Sequence, residues 1–344
     1  MNAPTNARIP LTLITGFLGS GKTTLLGSLL RDPLLADSIV LVNELGEIPL
    51  DHHLLRHVDE RTVILDSGCV CCTIRSDLVD EIRDLETRRH RGEIPPFRRV
   101  IVETTGLADP VPVLATLLQD PLLAAHYMSD GVVTTVDAIN APLQAERQRE
   151  WTKQIVVADR IVLTKTDLAG VDQTHVETLV RARNPVAEII VANHGAVPVT
   201  ALIGLGVLAA DRRAEQVLAW LAAVENDPQT GHHHDHHNGI HALALRFDEP
   251  LDWTMFGLWL SMLLQSHGGD VLRVKGLLDT GAPGPLVLHG VQHVIHPPTH
   301  LDAWPDDDHS SRIVMIVRDI ARADIETSLR TFDRLAKPRR EILA

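Results

Sequence analysis

The chain has 344 residues, of which 44% are hydrophobic and 22% charged, and its formal net charge is −13. This length predicts about two domains, and the composition is that of a globular protein with a sizeable aliphatic core. The acidic balance argues against nucleic acid or an anionic membrane as the main partner, and no apolar run approaches the roughly 18 residues that a membrane-spanning helix needs.

The N-terminal residues and the cysteines indicate in which cellular compartment the protein is located. The first residues, MNAPTNARIP, lack the charged-then-apolar pattern of a signal peptide. All three cysteines fall within residues 69–72, which excludes a disulfide framework across the chain and suits a reducing cytosol. We therefore expect a cytoplasmic protein.

The first two thirds of the chain alternate between strands and helices. After PLTLITG, which reads as a strand, further apolar and β-branched runs fall at residues 38–44, 61–67, 98–105, 131–138, 159–167 and 187–193. Helix-like stretches such as SDLVDEIRDLETRRH separate most of them. This alternation predicts an α/β fold with a doubly wound, mostly parallel sheet over residues 1–224.

The pattern changes in the last third of the chain. Residues 225–239 are polar and rich in histidine, which predicts a flexible linker. Beyond them, strands are expected at IHALALRF, DVLRVKGLL, GPLVLHGVQHVIH and SRIVMIVRD, with helices at LDWTMFGLWLSMLLQS and ARADIETSLRTFDRL. Residues 240–344 are thus expected to form a second, smaller α+β domain.

The segment GFLGSGKT, residues 16–23, matches the phosphate-binding loop G-x-x-x-x-G-K-[ST] between a predicted strand and a predicted helix. Lys22 would neutralise the β- and γ-phosphates, and the Thr23 hydroxyl would bind Mg²⁺. The candidate nucleotide-binding residues of this segment and its one-residue extension are Gly16, Gly19, Ser20, Gly21, Lys22, Thr23 and Thr24. The chain is therefore predicted to bind a nucleotide.

The base is indicated by RIVLTKTDLA, an apolar strand that ends in Thr164, Lys165, Thr166 and Asp167. GTPases carry N-K-x-D at this place, where the aspartate accepts hydrogen bonds from guanine N1 and N2 that adenine cannot donate. Thr164 replaces the asparagine, while Lys165 and Asp167 remain. The pattern favours GTP over ATP, and its alternative interpretation is an ordinary strand end with a helix-capping aspartate.

Three further residues are candidates for hydrolysis. Glu103 ends the strand RRVIVE and can hold Mg²⁺, directly or through water, or orient the attacking water. Gly106 follows it and could sense the γ-phosphate with its N–H group. Asp51 lies at the expected switch position, as a candidate contact to Mg²⁺ or water, or as a solvated loop carboxylate.

The cysteines form the pattern C-x-C-C at Cys69, Cys71 and Cys72. Three thiolates can hold Zn²⁺ or Co²⁺, and a site short of a fourth protein thiolate suits an ion that must leave again. Glu44 or Glu47, a histidine or water could complete the site. Inert buried thiols and redox chemistry at the adjacent cysteine pair are the alternatives.

A second metal feature is the tract HHHDHH, which a mobile segment could use to collect borderline metals with low specificity. The accessory ligands would be His232, His233, His234, His236 and His237. The alternative is a polar linker that happens to be rich in histidine.

Taken in order, TGFLGSGKTTLL, NELGE, GCVCCT, VETTGLADP and TKTD resemble the CobW family of GTPases, and RVKGLL followed by VQHV is similar to the second domain of that family. The family is related to the GTPases that insert nickel into urease and hydrogenase. The resemblance implies a metal-binding GTPase that acts as a metallochaperone or insertase for zinc, cobalt or a similar ion.

The leading hypothesis is a Mg²⁺-dependent GTPase that delivers Zn²⁺, Co²⁺ or a related ion to a client metalloprotein as its nucleotide state changes. Two alternatives stay open at this point, namely a P-loop kinase for a small molecule and a metal-buffering protein with vestigial GTPase activity. We expect a monomer or homodimer, with the client docking on the C-terminal domain by analogy, and no nucleic-acid or membrane partner.

Overall fold

The computed structural model describes residues 8–43, 62–65, 73–168, 170–192, 194–204, 217–219, 221–222 and 239–336. The chain divides into two compact units, Met1–Arg181 with Ala187–Ala209 and Ala182–Val186 with Ala210–Ala344. Apart from Gly239, the predicted linker lies outside the described residues, so the domain limits at residues 224 and 240 stay predictions.

The first unit contains a sheet of seven strands in the order β3-β2-β4-β1-β5-β6-β7. The strands are β1 Ile9–Gly16, β2 Ser38–Asn43, β3 Thr62–Leu65, β4 Arg99–Glu103, β5 Tyr127–Asp137, β6 Arg160–Thr164 and β7 Glu188–Val191. Each neighbouring pair runs parallel. The predicted α/β class with a parallel sheet is confirmed.

Helices connect these strands and begin where local residues favour them. They are α1 Lys22–Leu29, α2 Thr73–His90, α3 Pro110–Gln119, α4 Pro121–His126, α5 Ala141–Arg147, α6 Arg149–Val156 and α7 Gln173–Arg181. The Asp109 carboxylate caps α3 by accepting from Val111 N at 3.1 Å, and Asp120 caps α4 in the same way. A proline follows each cap, at the helical position that needs no N–H donor.

Apolar side chains cover both faces of this sheet. One cluster joins Ile14 of β1 to Leu25 and Leu26 of α1. Another joins Trp151 of α6 to Leu163 of β6. Burial of each such side chain contributes about 1.5–3 kcal/mol, so apolar packing holds the helices against both faces of the sheet. In an open parallel sheet, ligands bind beyond the carboxyl ends of the strands, which is where the glycine loop follows β1.

The second unit is built on an antiparallel sheet in the order β11-β10-β9-β13-β8, with β12 paired to β10. Its elements are β8 Ile240–Phe247, α8 Trp253–His267, β9 Val271–Leu278, β10 Leu286–Val291, β11 Val294–Ile295, β12 Thr299–His300, β13 Ser311–Arg318 and α9 Arg322–Ala336. Trp259 of α8 donates to Ser328 of α9 at 2.9 Å. The expected α+β fold is confirmed.

One predicted strand of the second unit is a hairpin. The segment GPLVLHGVQHVIH breaks into β10 and β11, which pair antiparallel across Gln292. Gln292 has a φ of 50°, the left-handed conformation that such a tight turn requires. Neither turn residue is Gly, Asn or Asp, so the usual sequence signal of a hairpin is missing here.

Within the described residues, no helix combines the length and the apolar character needed to cross a membrane.

Candidate nucleotide site

The glycine loop wraps around the N-terminus of α1 in the conformation expected of a phosphate-binding loop. Gly16, Gly19 and Gly21 have φ angles of 142°, 71° and 90°. A Cβ atom at Gly16 would lie 2.5 Å from the carbonyl oxygen of Thr135, so only glycine fits there. Gly21 precedes α1 and provides no side-chain cap, so the first N–H groups of the helix are available to bind an anion.

The Lys22 side chain folds back over this loop. Its Nζ atom donates to the carbonyl oxygens of Gly16 at 2.9 Å and Phe17 at 3.2 Å, and the residue is only 8% exposed. The ammonium group is therefore held over the loop that would enclose the β- and γ-phosphates.

Thr23 and Glu103 meet although 80 positions separate them in the sequence. The Thr23 hydroxyl donates to Glu103 Oε1 at 2.7 Å, and Glu103 is 4% exposed. A hydroxyl and a carboxylate are hard oxygen ligands of the kind that Mg²⁺ prefers. These two residues thus fit the ion that a nucleotide would bring.

The segment after β4 lies against the phosphate loop. Thr104 N donates to Ile14 O at 3.0 Å, which extends the parallel pairing beyond the end of β4. A Cβ atom at Gly106 would lie 2.7 Å from both Cα and N of Leu18, so the two backbones are in close contact. The buried Gln154 side chain, which sequence analysis missed, donates to the carbonyl oxygens of Gly106 and Ala108 at 3.1 and 3.0 Å.

The base-recognition motif is tied to the phosphate loop through Thr164. Its hydroxyl donates to Ser20 O at 2.8 Å, and Ser20 Oγ lies 2.6 Å from Thr135 Oγ1. The threonine that replaces the usual asparagine therefore anchors the motif to the loop by its own hydrogen bond. Lys165 follows with a φ of 59°, in the left-handed region.

Asp137, at the carboxyl end of β5, is the second residue that sequence analysis missed. Its carboxylate is 1% exposed and accepts from Lys165 Nζ at 2.7 Å and Asn140 Nδ2 at 2.8 Å. Burial raises the pKa of this carboxyl, but the hydrogen bonds from Lys165 and Asn140 outweigh burial and hold it below its usual value. A polar residue at the end of a parallel strand was the available signal.

Asp167 has one neighbour that no motif predicts. Its Oδ2 atom lies 3.2 Å from Nδ1 of His194, which follows β7 and has a φ of 48°. The next residue, Gly195, packs on Thr24, since a Cβ atom there would lie 3.0 Å from Thr24 Cγ2. The loop after β7 therefore borders both the base motif and the phosphate loop.

Several predicted site residues lie outside the described part of the chain. They are Glu44, Glu47, Asp51, Cys69, Cys71, Cys72, His232, His233, His234, His236 and His237. Among the residues that are described, no group of three or more His, Cys, Asp or Glu side chains is placed to hold a metal ion. The C-x-C-C segment falls in the connection from β3, which ends at Leu65, to α2, which begins at Thr73.

Comparison with known families matches both parts of the chain. Residues 10–191 match the CobW/HypB/UreG nucleotide-binding domain, and residues 240–333 match the cobalamin synthesis protein cobW C-terminal domain. The chain is 32% identical to the zinc chaperone YjiA of Escherichia coli, across 90% of this chain and 93% of YjiA. It is 30% identical to the zinc chaperone CobW of Pseudomonas aeruginosa, across 95% and 92% of the two chains.

Solved structures give the same relationship. The Zn(II)-bound YjiA GTPase from Escherichia coli is similar with a TM-score of 0.66 at 25% identity, covering 95% of this chain and 99% of YjiA. A Zn(II)-bound triple mutant of YjiA, in which one glutamate and two cysteines are changed to alanine, matches with a TM-score of 0.67. With its phosphate loop, its parallel sheet and both matching domains, the chain belongs to the CobW/HypB/UreG family.

Proposed function

We propose that this protein is a GTP-hydrolysing zinc chaperone, which binds its cargo ion at Cys69, Cys71 and Cys72 and transfers it to a client metalloprotein under control of the bound nucleotide. Zn²⁺ is favoured over Co²⁺ as cargo because two relatives are named zinc chaperones and the YjiA structure is Zn(II)-bound. A thiolate-rich site would also bind Co²⁺, which makes Co²⁺ a useful spectroscopic probe.

The observation that carries the proposal is the topology around β3. Because β1, β4 and β3 belong to one parallel sheet, their carboxyl ends lie at the same end of that sheet. The phosphate loop follows β1, Glu103 ends β4, and the C-x-C-C segment belongs to the connection that leaves β3. The connection that would carry the cargo thiolates therefore leaves the sheet at the same end as the phosphate loop and Glu103.

The described residues can support GTP hydrolysis in separate roles. Lys22 would neutralise phosphate charge, and Thr23 with Glu103 would hold Mg²⁺, which supplies further charge stabilisation when it is bound. The turn that contains Gly106 offers N–H groups beside the phosphate loop. Asp167 would read guanine through two accepted hydrogen bonds.

Coupling between GTP and the cargo ion requires that the ion binds the GTP-bound and GDP-bound forms of the protein with different affinities, which typically differ by about 5–150-fold. We propose that the GTP state closes the cysteine segment around the ion, and that hydrolysis loosens it. Glu44 or Glu47 would complete the ligand set, Asp51 would contact Mg²⁺ or water, and the histidine tract would gather metal for transfer to the cysteines.

The test is a Co²⁺ titration of the full chain, followed by thiolate charge-transfer absorption. It compares Mg²⁺ with a non-hydrolysable GTP analogue, with GDP and with the corresponding ATP analogue. A variant without residues 232–237 isolates the cysteine site, and replacement of all three cysteines by serine is the matched negative control. Since the YjiA triple mutant is still Zn(II)-bound, the quantity to follow is the nucleotide-dependent binding rather than total metal.

Tighter binding with the GTP analogue alone, lost in the serine variant, is the expected outcome. Equal Co²⁺ affinity in the GTP and GDP states would instead favour a metal-buffering protein. GTP hydrolysis that survives the serine substitutions would agree with a chaperone whose hydrolytic and cargo sites are separate.

A further inference from the structure

Gln154 is a fully buried side chain of α6 whose amide group reaches the turn after β4. It is 0% exposed, and its Nε2 atom donates to the carbonyl oxygens of Gly106 and Ala108 at 3.1 and 3.0 Å. Because both partners are acceptors, the amide nitrogen must face them, and the two N–H groups are fully used. One side chain thus holds two carbonyl groups on either side of Leu107.

The turn held in this way is the part of the chain next to the phosphate loop. Ala108 N donates to Thr105 O at 3.1 Å, which closes the turn of residues 105–108. On the other side Gly106 is in contact with the backbone of Leu18. The turn is therefore enclosed between the phosphate loop and the Gln154 amide.

The hydrogen bonds also orient the peptide groups. In a trans peptide the C=O and N–H groups point in opposite directions, and no cis peptide bond occurs in the described residues. Since Gly106 O points at Gln154, the N–H group of Leu107 points away from this buried amide. Donors that are oriented before the ligand arrives stabilise developing charge without a cost of reorganisation.

The other end of Gln154 is anchored to the sheet. Its backbone carbonyl accepts from the Thr134 hydroxyl of β5 at 2.8 Å, inside the core. The neighbouring Lys153 pairs with Asp109 at 2.8 Å, so two successive residues of α6 hold the segment that leads into α3. A shift of the turn would therefore have to break hydrogen bonds to a side chain that is itself bonded to the central sheet.

We propose that Gln154 is a positioning residue, which holds the turn of residues 105–108 so that its N–H groups can discriminate GTP from GDP. This inference rests on the proposed GTPase function. Gln154 touches no phosphate itself, so its removal should change the preference between the two nucleotides and leave the binding of the shared phosphates almost intact.

The test uses Gln154→Met in the full chain, which keeps the length of the side chain and removes both donors. Gln144→Met is the matched control, since Gln144 of α5 is also buried but donates to no described turn carbonyl. Affinities for GDP and for a non-hydrolysable GTP analogue are measured with Mg²⁺, together with kcat and KM for GTP and the melting temperature.

We expect Gln154→Met to bind GDP within about twofold of wild type, and to lose about tenfold in both the preference for the GTP analogue and kcat. Gln144→Met should leave the preference unchanged. An equal loss for GTP and GDP, or no loss, would overturn the positioning role. If wild-type protein neither binds nor hydrolyses GTP, the proposed function fails as well.

A variant that does not fold would still leave a decisive measurement. In wild-type protein, the backbone amide resonances of the turn of residues 105–108 should shift with the GTP analogue but not with GDP, because the N–H groups that Gln154 orients would contact the γ-phosphate. Identical resonances in the two nucleotide states would contradict the inference without any substitution.

Discussion

At the scale of single residues, the site depends on side chains that reach across the sheet. Thr23 and Glu103 come from α1 and β4, and Lys165 and Asp137 from the ends of β6 and β5. Each pair joins a predicted motif residue to a partner far away in sequence. The role of each motif can therefore be tested by substituting one polar side chain at a time.

The Asp167→Asn variant tests base recognition. In the proposed role, the aspartate would accept hydrogen bonds from guanine N1 and N2, whereas the amide of asparagine could donate to the 2-oxo group of xanthine. We expect GTP affinity to fall by about 100-fold or more, and xanthosine triphosphate to become the better substrate. Hydrolysis rates with the two nucleotides measure this, and Asp172→Asn is the control because Asp172 only caps α7. Unchanged preference would mean that Asp167 does not read the base.

The Glu103→Gln variant tests the Mg²⁺ assignment with almost no change of shape. The amide can still accept from Thr23, but it lacks the charge that would hold the ion. We expect kcat for GTP hydrolysis to fall by about 100-fold, with little change in GDP affinity when Mg²⁺ is absent. A titration of the hydrolysis rate with Mg²⁺ gives kcat, and a GDP-binding titration without Mg²⁺ gives the affinity. Glu188→Gln, at an exposed position of β7, should behave as wild type.

Sequence patterns could predict the motif residues and Glu103, but not the other distant partners. The phosphate loop and Asp167 are recognisable because their chemistry requires fixed local spacings. Gln154 and Asp137 have no such spacing, since they act through contacts that only the folded sheet creates. Of the two, Asp137 carried a usable signal at its strand end, whereas Gln154 sits inside an ordinary amphipathic helix.

At the scale of elements, the contact between the turn after β4 and the phosphate loop should not tolerate a larger side chain. Gly106→Ala would place a methyl group 2.7 Å from the Leu18 backbone, so one of the two segments must shift. We expect kcat for GTP hydrolysis to fall by tenfold or more, about 1.4 kcal/mol of activation free energy. Steady-state kinetics check this outcome.

The control for that substitution lies in α8. A Cβ atom at Gly257 meets nothing within 4 Å, so Gly257→Ala should leave hydrolysis unchanged. It should stabilise the helix by about 0.5–1 kcal/mol, because alanine has the better helix propensity. Equal loss of activity in both variants would show that the contact at Leu18 is not responsible.

The start of β13 carries an ion pair that makes the second unit sensitive to acid. Arg312, buried at 7% exposure, donates to both oxygens of Asp306 at 2.7 and 2.8 Å. The hydrogen bond from Arg312 lowers the pKa of Asp306 below its ordinary value of 3.8. The stabilisation is therefore present above the unfolded pKa and is lost as the pH falls through the lower, folded value.

We expect Arg312→Met to reduce the free energy of unfolding by about 2 kcal/mol at pH 7. The difference from wild type should shrink as the pH falls below the ordinary pKa of the aspartate. Urea denaturation at pH 7 and near pH 3 measures both differences. A difference that is independent of pH would assign the effect to lost packing instead.

Elements were predictable to different degrees. The strands of the first unit are continuous apolar runs. A parallel strand that is buried on both faces needs apolar residues at successive positions, so the sequence alone indicates it. The β10–β11 hairpin was not predictable, because its turn uses Gln292 in a conformation that usually calls for glycine or asparagine. Its register is set by pairing with β9, which is a tertiary contact rather than a local preference.

At the scale of the molecule, two units with separate hydrophobic cores predict two unfolding transitions. GDP with Mg²⁺ should raise the midpoint temperature of the first unit alone, because a ligand stabilises the unit that binds it. At 100 times its dissociation constant, the ligand adds about 2.7 kcal/mol to the free energy of unfolding of that unit. Differential scanning calorimetry checks this outcome, and Lys22→Ala should abolish the shift. A single transition that moves as a whole would mean that the two units unfold together.

The order β3-β2-β4-β1-β5-β6-β7 places base recognition and the C-x-C-C connection on opposite sides of β1. Asp167 follows β6, whereas the cysteines come after β3 in the sequence, and β3 is an edge strand of this sheet. Selection for a different metal could thus change the connection after β3 without changing the nucleotide specificity proposed for the residues after β6. The same separation gives protein engineers a place to graft new metal ligands, between residues 65 and 73, without changing the residues proposed to recognise guanine.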